Sequence, residues 1–284
     1  MAYHHTTHTL TTSTDPVPLF WQRWLPEGEV QRVLVFQHGI GEHSGRYQPL
    51  IDAFAETGTA FYAADARGHG RTEGPRGSVT RFELFASDLS DLIQIAQSEH
   101  QSQQVFLLGH SMGGAIVLDY ALRSDHQENL RGLILSSPAI EVTNRFSNRV
   151  LKGAASVLTR VTPGAVLDTM LGLADLSRHP DTRASYRSDP LVHRKASVLM
   201  GHTLFQLHRR FYAEASRLTI PVYLFHGTAD RITAPEGSQR LFERLTTDDK
   251  TLNLYEGLYH ETMNELPEDR QRVLDDLVEW VTAR

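Results

Sequence analysis

A chain of 284 residues, with 40% hydrophobic and 22% charged residues, has the length and composition of a globular protein with a large core. Its formal net charge of −6 and the absence of a basic stripe argue against a nucleic-acid partner. Because the chain contains no cysteine, a disulfide, a thiolate nucleophile and a cysteine-ligated metal are excluded.

The amino-terminal segment MAYHHTTHTL lacks the basic region and apolar run of a secretory signal. No apolar run approaches the roughly 18 residues of a membrane-spanning helix, so we expect a cytoplasmic protein. His4, His5 and His8 fit a flexible terminal segment better than a metal site. Without H-E-x-x-H or another ligand cluster, no metal is expected.

Short apolar runs rich in β-branched residues alternate with helical patterns along the chain. The first two segments, 8–15 and 17–26, predict an antiparallel hairpin at a sheet edge. Near-continuous apolarity in the middle runs is typical of strands covered on both faces, as in a parallel sheet. Strands are predicted at 32–37, 59–64, 104–109, 132–137, 221–226 and 251–256, and helices at 47–57, 81–99, 113–123, 235–245 and 268–283. This alternation predicts an α/β fold with a mostly parallel central sheet flanked by helices.

One interval, from Pro138 to Ile220, contains about 80 residues without a convincing strand. Crossovers in compact α/β units are far shorter, so this interval has structure of its own. We interpret residues 139–217 as a helical cap inserted after the sixth strand, within a single domain that spans 1–284.

The cap contains two helical patterns, at 150–161 and 198–218. One apolar face is predicted to pack against the core, with contact to a membrane surface as the alternative. This face is formed by Val157, Leu158, Leu167 and Leu171.

The segment VFLLGHSMGGAIVLDYAL, residues 105–122, joins an apolar strand to a helix through glycines and one serine. Gly109 and Gly113 stand two positions before and after Ser111, which gives G-x-S-x-G. A turn that exposes a nucleophile strains the serine backbone, and side chains at those two positions would collide with their neighbours. Ser111 is therefore the candidate nucleophile, at a helix amino terminus that favours negative charge. The alternative is an incidental serine in a glycine-rich turn; a dinucleotide site would need G-x-G-x-x-G, which is not present.

A serine nucleophile needs a base and an orienting acid, which follow in the order Asp or Glu, then His, in this class of fold. Asp230 comes four residues after a predicted strand, and His260 lies just ahead of the last helix. Both fall at the ligand-binding edge of an open α/β sheet. Asp248 and Asp249 are weaker candidates because they precede a strand.

An oxyanion site is predicted from two backbone N–H groups. Gly39 and Gly41 follow a predicted strand and allow the backbone to approach a substrate closely. Ile40 between them, and Met112 directly after the nucleophile, are the expected donors.

Six motifs follow one another along the chain: HGIGEHSGRY, DARGHGRTEG, LLGHSMGGAI, YRSDPLV, HGTADRI and YEGLYHE. In this order and spacing they resemble those of the monoacylglycerol lipases and related lysophospholipases, which are serine hydrolases of the α/β-hydrolase fold. The resemblance runs from about residue 17 to the carboxyl terminus and is weakest in the cap.

The resemblance implies a triad of Ser111, Asp230 and His260, with Ile40 and Met112 as oxyanion donors. It also implies a polar pocket for a glycerol leaving group beside an apolar channel for one acyl chain. That pocket is formed by Glu42, Arg46, His110 and Tyr186.

A structural interpretation also fits some of these residues. His110 can simply pack, and Glu42 with Arg46 can form an ion pair that braces the loop. For the matching Asp65, Arg67 and His69, which are found in a tight loop, a structural role is favoured.

The expectation is a cofactor-free serine hydrolase that cleaves monoacylglycerols, a small lipid substrate, to fatty acid and glycerol. A lysophospholipase or carboxylesterase with the same triad is the alternative. An aminopeptidase would need an acidic site for the substrate amine, and none is evident in the cap. A non-catalytic binding protein on this fold would usually lack a triad residue, and none is missing here. The sequence gives no oligomeric state.

Overall fold

The computed structural model describes residues 3–101, 103–123, 125–143, 159, 161–169 and 171–284. Its strands are β1 (Tyr3–Thr11), β2 (Pro18–Pro26), β3 (Arg32–Gln37), β4 (Thr59–Ala64), β5 (Val105–His110), β6 (Leu130–Ser136), β7 (Val166–Asp168), β8 (Lys195–Ser197), β9 (Val222–Gly227) and β10 (Lys250–Tyr255). Eight of them form one sheet in the order β1-β2-β4-β3-β5-β6-β9-β10. The pairs β1–β2 and β2–β4 are antiparallel, and the other pairs in this sheet are parallel. The predicted mostly parallel sheet is confirmed.

Helices cover both faces of this sheet, which explains why its central strands are apolar throughout. They are α1 (Gln48–Ala53), α2 (Glu83–Glu99), α3 (Met112–Ala121), α4 (Pro180–Ser188), α5 (Val198–Glu214), α6 (Pro235–Arg244) and α7 (Pro267–Thr282). Along β3, Val33 and Val35 join the core layer under α2, α3 and α6. Leu34 and Phe36 join the opposite layer, under α1 and α7. Successive side chains of a strand point to opposite faces, so both sets must be apolar.

The amino-terminal segment forms an ordered edge strand, so the expectation of a flexible segment there is wrong. His4, His5 and His8 all belong to β1, which pairs with β2 along its whole length. The His5 ring stacks on Trp24 at 4.8 Å between ring centroids, and the His8 ring stacks on Trp21 at 4.3 Å. Pairing with a tryptophan-rich strand holds a segment whose own residues are mostly polar.

The interval after β6 contains helices, as predicted, and also one pair of short strands that the sequence does not predict. Helix α5 matches the pattern at 198–218, whereas most of the pattern at 150–161 lies outside the described residues. The antiparallel β7–β8 pair is only three residues long, too short for a periodic signal. The boundaries of the cap, 139–217, remain a prediction.

The two described residues of the apolar face predicted for the cap differ in burial. Leu171 packs beside the small cluster of Leu176, Tyr186 and Ile232, whereas Leu167 is 53% exposed. Val157 and Leu158 lie outside the described residues. Packing against the core therefore holds for one of the two described residues.

Candidate active site

The turn between β5 and α3 carries Ser111 in a strained backbone conformation. Its φ of +54° lies in the left-handed region, which costs a non-glycine residue roughly 1–3 kcal/mol. A Cβ on Gly109 would lie 2.3 Å from the carbonyl oxygen of Gly113, and a Cβ on Gly113 would lie 2.1 Å from that of Gln37. Backbone crowding therefore requires glycine at both positions, for the reason that the G-x-S-x-G pattern predicts.

Asp230 and His260 meet beyond the carboxyl ends of β9 and β10. His260 Nδ1 donates a hydrogen bond of 2.7 Å to Asp230 Oδ2, and both side chains are buried. Asp249 pairs instead with Arg284, at the opposite edge of the sheet where β10 begins. The geometry therefore favours Asp230 over Asp248 and Asp249 as the partner of His260.

The Asp230–His260 pair has the charge distribution that a general base requires. Burial opposes ionisation of Asp230, but the charge of His260 and hydrogen bonds from His226 and His260 hold its pKa well below the usual value. Burial likewise opposes protonation of His260, but the charge and hydrogen bond of Asp230 raise its pKa above the usual value. The environment therefore stabilises a proton on the imidazole beside an ionised carboxylate.

The nucleophile turn, the loop after β3 and the His260 loop converge on one spot. A Cβ on Gly39 would lie 3.2 Å from Ser111 Cβ and 3.4 Å from the His110 ring. The His110 and His260 rings are in turn 4.8 Å apart between centroids. No hydrogen bond joins Ser111 Oγ to His260 in the described part of the chain, a separation that is common before a substrate draws such groups together.

The two residues predicted as oxyanion donors flank this spot. Ile40 follows Gly39 in the loop beside Ser111, and Met112 is the first residue of α3. N–H groups in the first turn of a helix have no partner within it, so the Met112 N–H is available to a substrate oxygen. The donor roles of both residues remain a prediction.

Glu42 and Arg46 form a buried ion cluster with Glu261, the residue after His260. Arg46 donates to Glu42 and makes two hydrogen bonds to Glu261, of 3.0 and 2.8 Å. Glu42 also accepts from the Gly39 N–H at 2.6 Å and from the Tyr47 hydroxyl at 2.9 Å. These contacts join the loop after β3 to the His260 loop and favour the brace over direct glycerol contact for Glu42 and Arg46.

The charges of this cluster stabilise one another despite burial. Burial raises the pKa of Glu42, but Arg46 and neighbouring donors outweigh it and lower that pKa to about 2. For Arg46, burial is outweighed by Glu261 and Glu42, which raise the pKa of the guanidinium above its usual value. One cation between two carboxylates leaves the cluster with a net negative charge.

His110 and Tyr186 lie at the same site with fewer internal partners. His110 Nδ1 is 3.2 Å from Ser136 Oγ, and burial followed by the nearby His260 lowers the pKa of His110 to about 4. The Tyr186 ring lies under the Arg46 guanidinium, 4.6 Å from ring centroid to Cζ. A Cβ on Gly41 would come within 3.4 Å of the Tyr186 hydroxyl. Both residues are therefore neutral polar groups beside the predicted oxyanion loop.

The residues Asp65, Arg67 and His69 have the structural contacts that the sequence favours. Asp65 accepts hydrogen bonds from the N–H and hydroxyl of Ser44, at 2.8 and 2.5 Å. Arg67 makes two hydrogen bonds to Asp88, of 2.6 and 2.7 Å, and His69 bonds to the carbonyl oxygen of Arg67. These contacts fix the loop after β4.

Three residues at the site are missed by the sequence reasoning. Glu261 contacts Arg46, while His226 and Thr233 both contact the Asp230 carboxylate. Their one sequence signal is that each lies within four positions of Asp230 or His260. Nothing in the sequence links Glu261 to Arg46, which is 215 positions away. The described residues contain no group of three or more histidine, aspartate or glutamate side chains that could hold a metal.

A family model described as Serine aminopeptidase, S33, matches residues 28–267, most of the chain. The chain belongs to this family of α/β-hydrolases. It is also similar, along nearly its whole length, to proteins named monoacylglycerol or monoglyceride lipases. It is 35% identical to a monoacylglycerol lipase of Mycolicibacterium smegmatis over 94% of each chain. It is also 37% identical to the monoglyceride lipase of Rattus norvegicus, over 94% of this chain and 87% of that protein.

A solved structure gives the same result. The monoacylglycerol lipase of Paleococcus ferrophilus superposes with a TM-score of 0.83 at 35% identity, over 100% of this chain and 99% of that one. The resemblance to monoacylglycerol lipases and the α/β-hydrolase fold are thus confirmed for this S33-family chain. Among its described helices, none is both long and apolar enough to cross a bilayer.

Proposed function

We propose that this chain hydrolyses monoacylglycerols to free fatty acid and glycerol through an acyl-enzyme on Ser111. The observation that carries the proposal is the buried 2.7 Å hydrogen bond between His260 and Asp230 at the sheet edge that bears the strained Ser111 turn. Relatives named monoacylglycerol lipases, similar over almost the whole chain, support the substrate class.

In the acylation step, Ser111 Oγ attacks the ester carbonyl while His260 Nε2 accepts the serine proton. Because Nδ1–H is held by Asp230, Nε2 is the free base, and the carboxylate stabilises the imidazolium that forms. The backbone N–H groups of Ile40 and Met112 bind the oxyanion, and each such donor contributes about 3 kcal/mol to transition-state stabilisation.

Collapse of the tetrahedral intermediate breaks the bond to the glycerol oxygen, which takes the proton from His260 Nε2. Water then attacks the acyl-enzyme, with His260 again accepting a proton, and Ser111 leaves as its hydroxyl. The proposed reaction uses no cofactor, since all four proton transfers, two in acylation and two in deacylation, pass through the same imidazole.

The charges near Ser111 favour a neutral leaving group over a phosphate. The Arg46 guanidinium lies at this site, but Glu42 and Glu261 already occupy it. A lysophospholipid phosphate would meet a cluster with net negative charge. We propose that His110 and Tyr186, both neutral, contact the glycerol hydroxyls, while Glu42 and Arg46 hold the surrounding loops.

Transient contact between the cap and a lipid surface is a further part of the proposal. Its support is a set of exposed apolar side chains that fall in one short segment of the interval, since clustered apolar exposure is typical of an interaction surface. Val161 is 73% exposed, Leu167 53% and Val166 40%.

The substrate class is tested by comparing 1-monoacylglycerol with lysophosphatidylcholine of the same acyl chain, with released fatty acid as the readout. We expect the monoacylglycerol to have the higher kcat/KM by at least tenfold, because the phosphate meets unfavourable charge. Equal or reversed values would favour a lysophospholipase, and turnover of p-nitrophenyl butyrate alone would favour a short-chain carboxylesterase.

A further inference from the structure

A second histidine contacts the same carboxylate oxygen as His260. His226 Nε2 lies 3.0 Å from Asp230 Oδ2, and the Thr233 hydroxyl lies 2.8 Å from it. The other oxygen, Oδ1, accepts the N–H groups of Ile232 and Thr233 at 2.7 and 3.1 Å. With His260, five donors surround this one carboxylate.

His226 has a hydrogen-bond partner at each ring nitrogen. An ionised carboxylate only accepts hydrogen bonds, so Nε2 of His226 must carry the proton that it shares with Asp230. The partner of Nδ1 is the Ser238 hydroxyl of α6, 2.8 Å away, which can donate or accept a hydrogen bond. Both His226 and Ser238 are fully buried, so no solvent competes for these bonds.

We propose that His226 is a positioning residue for the reaction, one that holds the Asp230 carboxylate in the orientation His260 needs. This role rests on the proposed function, because it acts through Asp230 on His260. The two histidines share Oδ2, so any rotation of the carboxylate that releases His226 also breaks its bond to His260. A chain of contacts thus runs from α6 through Ser238, His226 and Asp230 to the general base.

His226 also limits the strength with which Asp230 attracts the His260 proton. A carboxylate oxygen that already accepts other donors stabilises an imidazolium less than an unshared oxygen does. Removing His226 should therefore raise the pKa of His260. The other ionisable groups that influence His260 are the acidic Glu42 and Glu261 and the neighbouring His110, and the substitution leaves all three unchanged.

The deciding experiment compares His226→Leu with His226→Gln, using hydrolysis of p-nitrophenyl butyrate from pH 5 to 9. Leucine removes the donor, whereas the glutamine amide can restore an N–H near the Nε2 position. For His226→Leu we expect kcat to fall about 10- to 100-fold with little change in KM. The acidic limb of the kcat/KM profile should move up by roughly one pH unit. His226→Gln should recover most of the rate and the original profile.

Two further variants separate positioning from a loss of stability. Phe225→Leu alters the neighbouring buried residue of β9, whose side chain belongs to the core layer under α7. Because successive side chains of a strand alternate between faces, it lies on the face opposite to that of His226. This substitution should lower Tm without moving the pH profile. Ser238→Ala removes the hydroxyl that holds His226 Nδ1, so it should shift the profile in the same direction as His226→Leu, by less. If His226→Leu does not fold, Ser238→Ala and His226→Gln decide the matter.

The inference is overturned if folded His226→Leu retains kcat within twofold of wild type, if its pH profile is unchanged, or if glutamine recovers no more rate than leucine. An unshifted profile for Ser238→Ala, where His226→Leu does not fold, also overturns it. Ser111→Ala is assayed in parallel. Turnover by that variant would refute the proposed function itself, whereas an inactive Ser111→Ala beside a fully active His226→Leu would refute only the role of His226.

Discussion

The central sheet and the short β7–β8 pair of the 139–217 interval differ sharply in how far their residues are buried. Every residue of β4, β5 and β9 is buried, whereas all three residues of β7 are exposed. The parallel strands are fixed by apolar layers on both faces. The short β7–β8 pair has no comparable cover on β7.

The candidate catalytic side chains and part of the proposed glycerol pocket depend on different regions of the chain. Ser111 and Asp230 follow β5 and β9, which are buried throughout, and His260 follows the edge strand β10, which pairs with β9. Their positions therefore depend on the central sheet. Tyr186, by contrast, is contributed by α4 of the interval. Chemistry is therefore expected to be sensitive to small changes in the sheet, and acyl-chain preference to changes in the interval.

The largest effect is expected at the sheet edge, from Asp230→Asn. The amide no longer favours the His260 tautomer with hydrogen on Nδ1, so kcat should fall by about 10⁴-fold. Steady-state ester hydrolysis measures the rate, and circular dichroism checks that the fold is retained. A variant within tenfold of wild type would contradict the role of Asp230.

A matched pair of glycine substitutions compares the two regions directly. Gly113→Ala forces a Cβ to within 2.1 Å of a backbone oxygen, so we expect a free energy of unfolding lower by about 3 kcal/mol or more. Gly201, in α5, has open space around its Cβ position. There alanine should stabilise by about 0.5–1 kcal/mol. Urea denaturation measures the free energy of unfolding of both variants. Equal changes would contradict the difference between the two regions.

The core also determines how stability depends on pH. Burial is the main cause that lowers the pKa values of His38 and His69, and it lowers that of His110 to about 4. Below about pH 6.5 these histidines bind protons in the unfolded chain, but in the folded protein they remain neutral. Each should therefore reduce the free energy of unfolding by about 1.4 kcal/mol per pH unit, until its own folded pKa is reached.

His260 acts in the opposite direction, because its pKa is raised and its protonation stabilises the fold at low pH. The pKa values of His100, His126 and His193 are also lowered, which makes six lowered histidines against one raised. Stability should therefore be greatest above pH 6.5 and decrease below it. Urea denaturation at pH 7.5, 6.0 and 5.0 is the test. A free energy of unfolding that stays constant or increases from pH 7.5 to pH 5.0 would show that these histidines are solvated.

Much of this architecture is predictable because local and global signals agree. The predicted strand at 59–64 matches β4 residue for residue, since its apolar run is also its buried run. The segment around His5 and His8 is misjudged because its order comes from Trp21 and Trp24 of the adjacent strand, not from its own pattern.

The candidate site is predictable only where a local sequence pattern reports it. Ser111 is recognised from glycines within two positions of it, which report a local backbone turn. His226 and Glu261 act through contacts made only after the chain has folded. No periodicity or spacing encodes the convergence of Glu261 with Arg46 from another loop.

The smallest effect is expected in the exposed part of the interval, from Leu167→Ser. Because the side chain is 53% exposed, Tm should change by no more than about 1–2 °C. Hydrolysis of p-nitrophenyl butyrate should stay within twofold of wild type, while co-sedimentation with phospholipid vesicles decreases. Unchanged vesicle binding would argue against the proposed lipid contact.

The central claim is that Ser111 is the nucleophile that His260 activates. Intact-mass measurement after treatment with a fluorophosphonate tests it most directly, with peptide mapping of the adduct and glycerol release from 1-monoacylglycerol measured in parallel. The account predicts one adduct, on Ser111, that abolishes glycerol release, and neither labelling nor release for Ser111→Ala. Release at the wild-type rate by Ser111→Ala, or an adduct on another residue that accompanies inactivation, would contradict it.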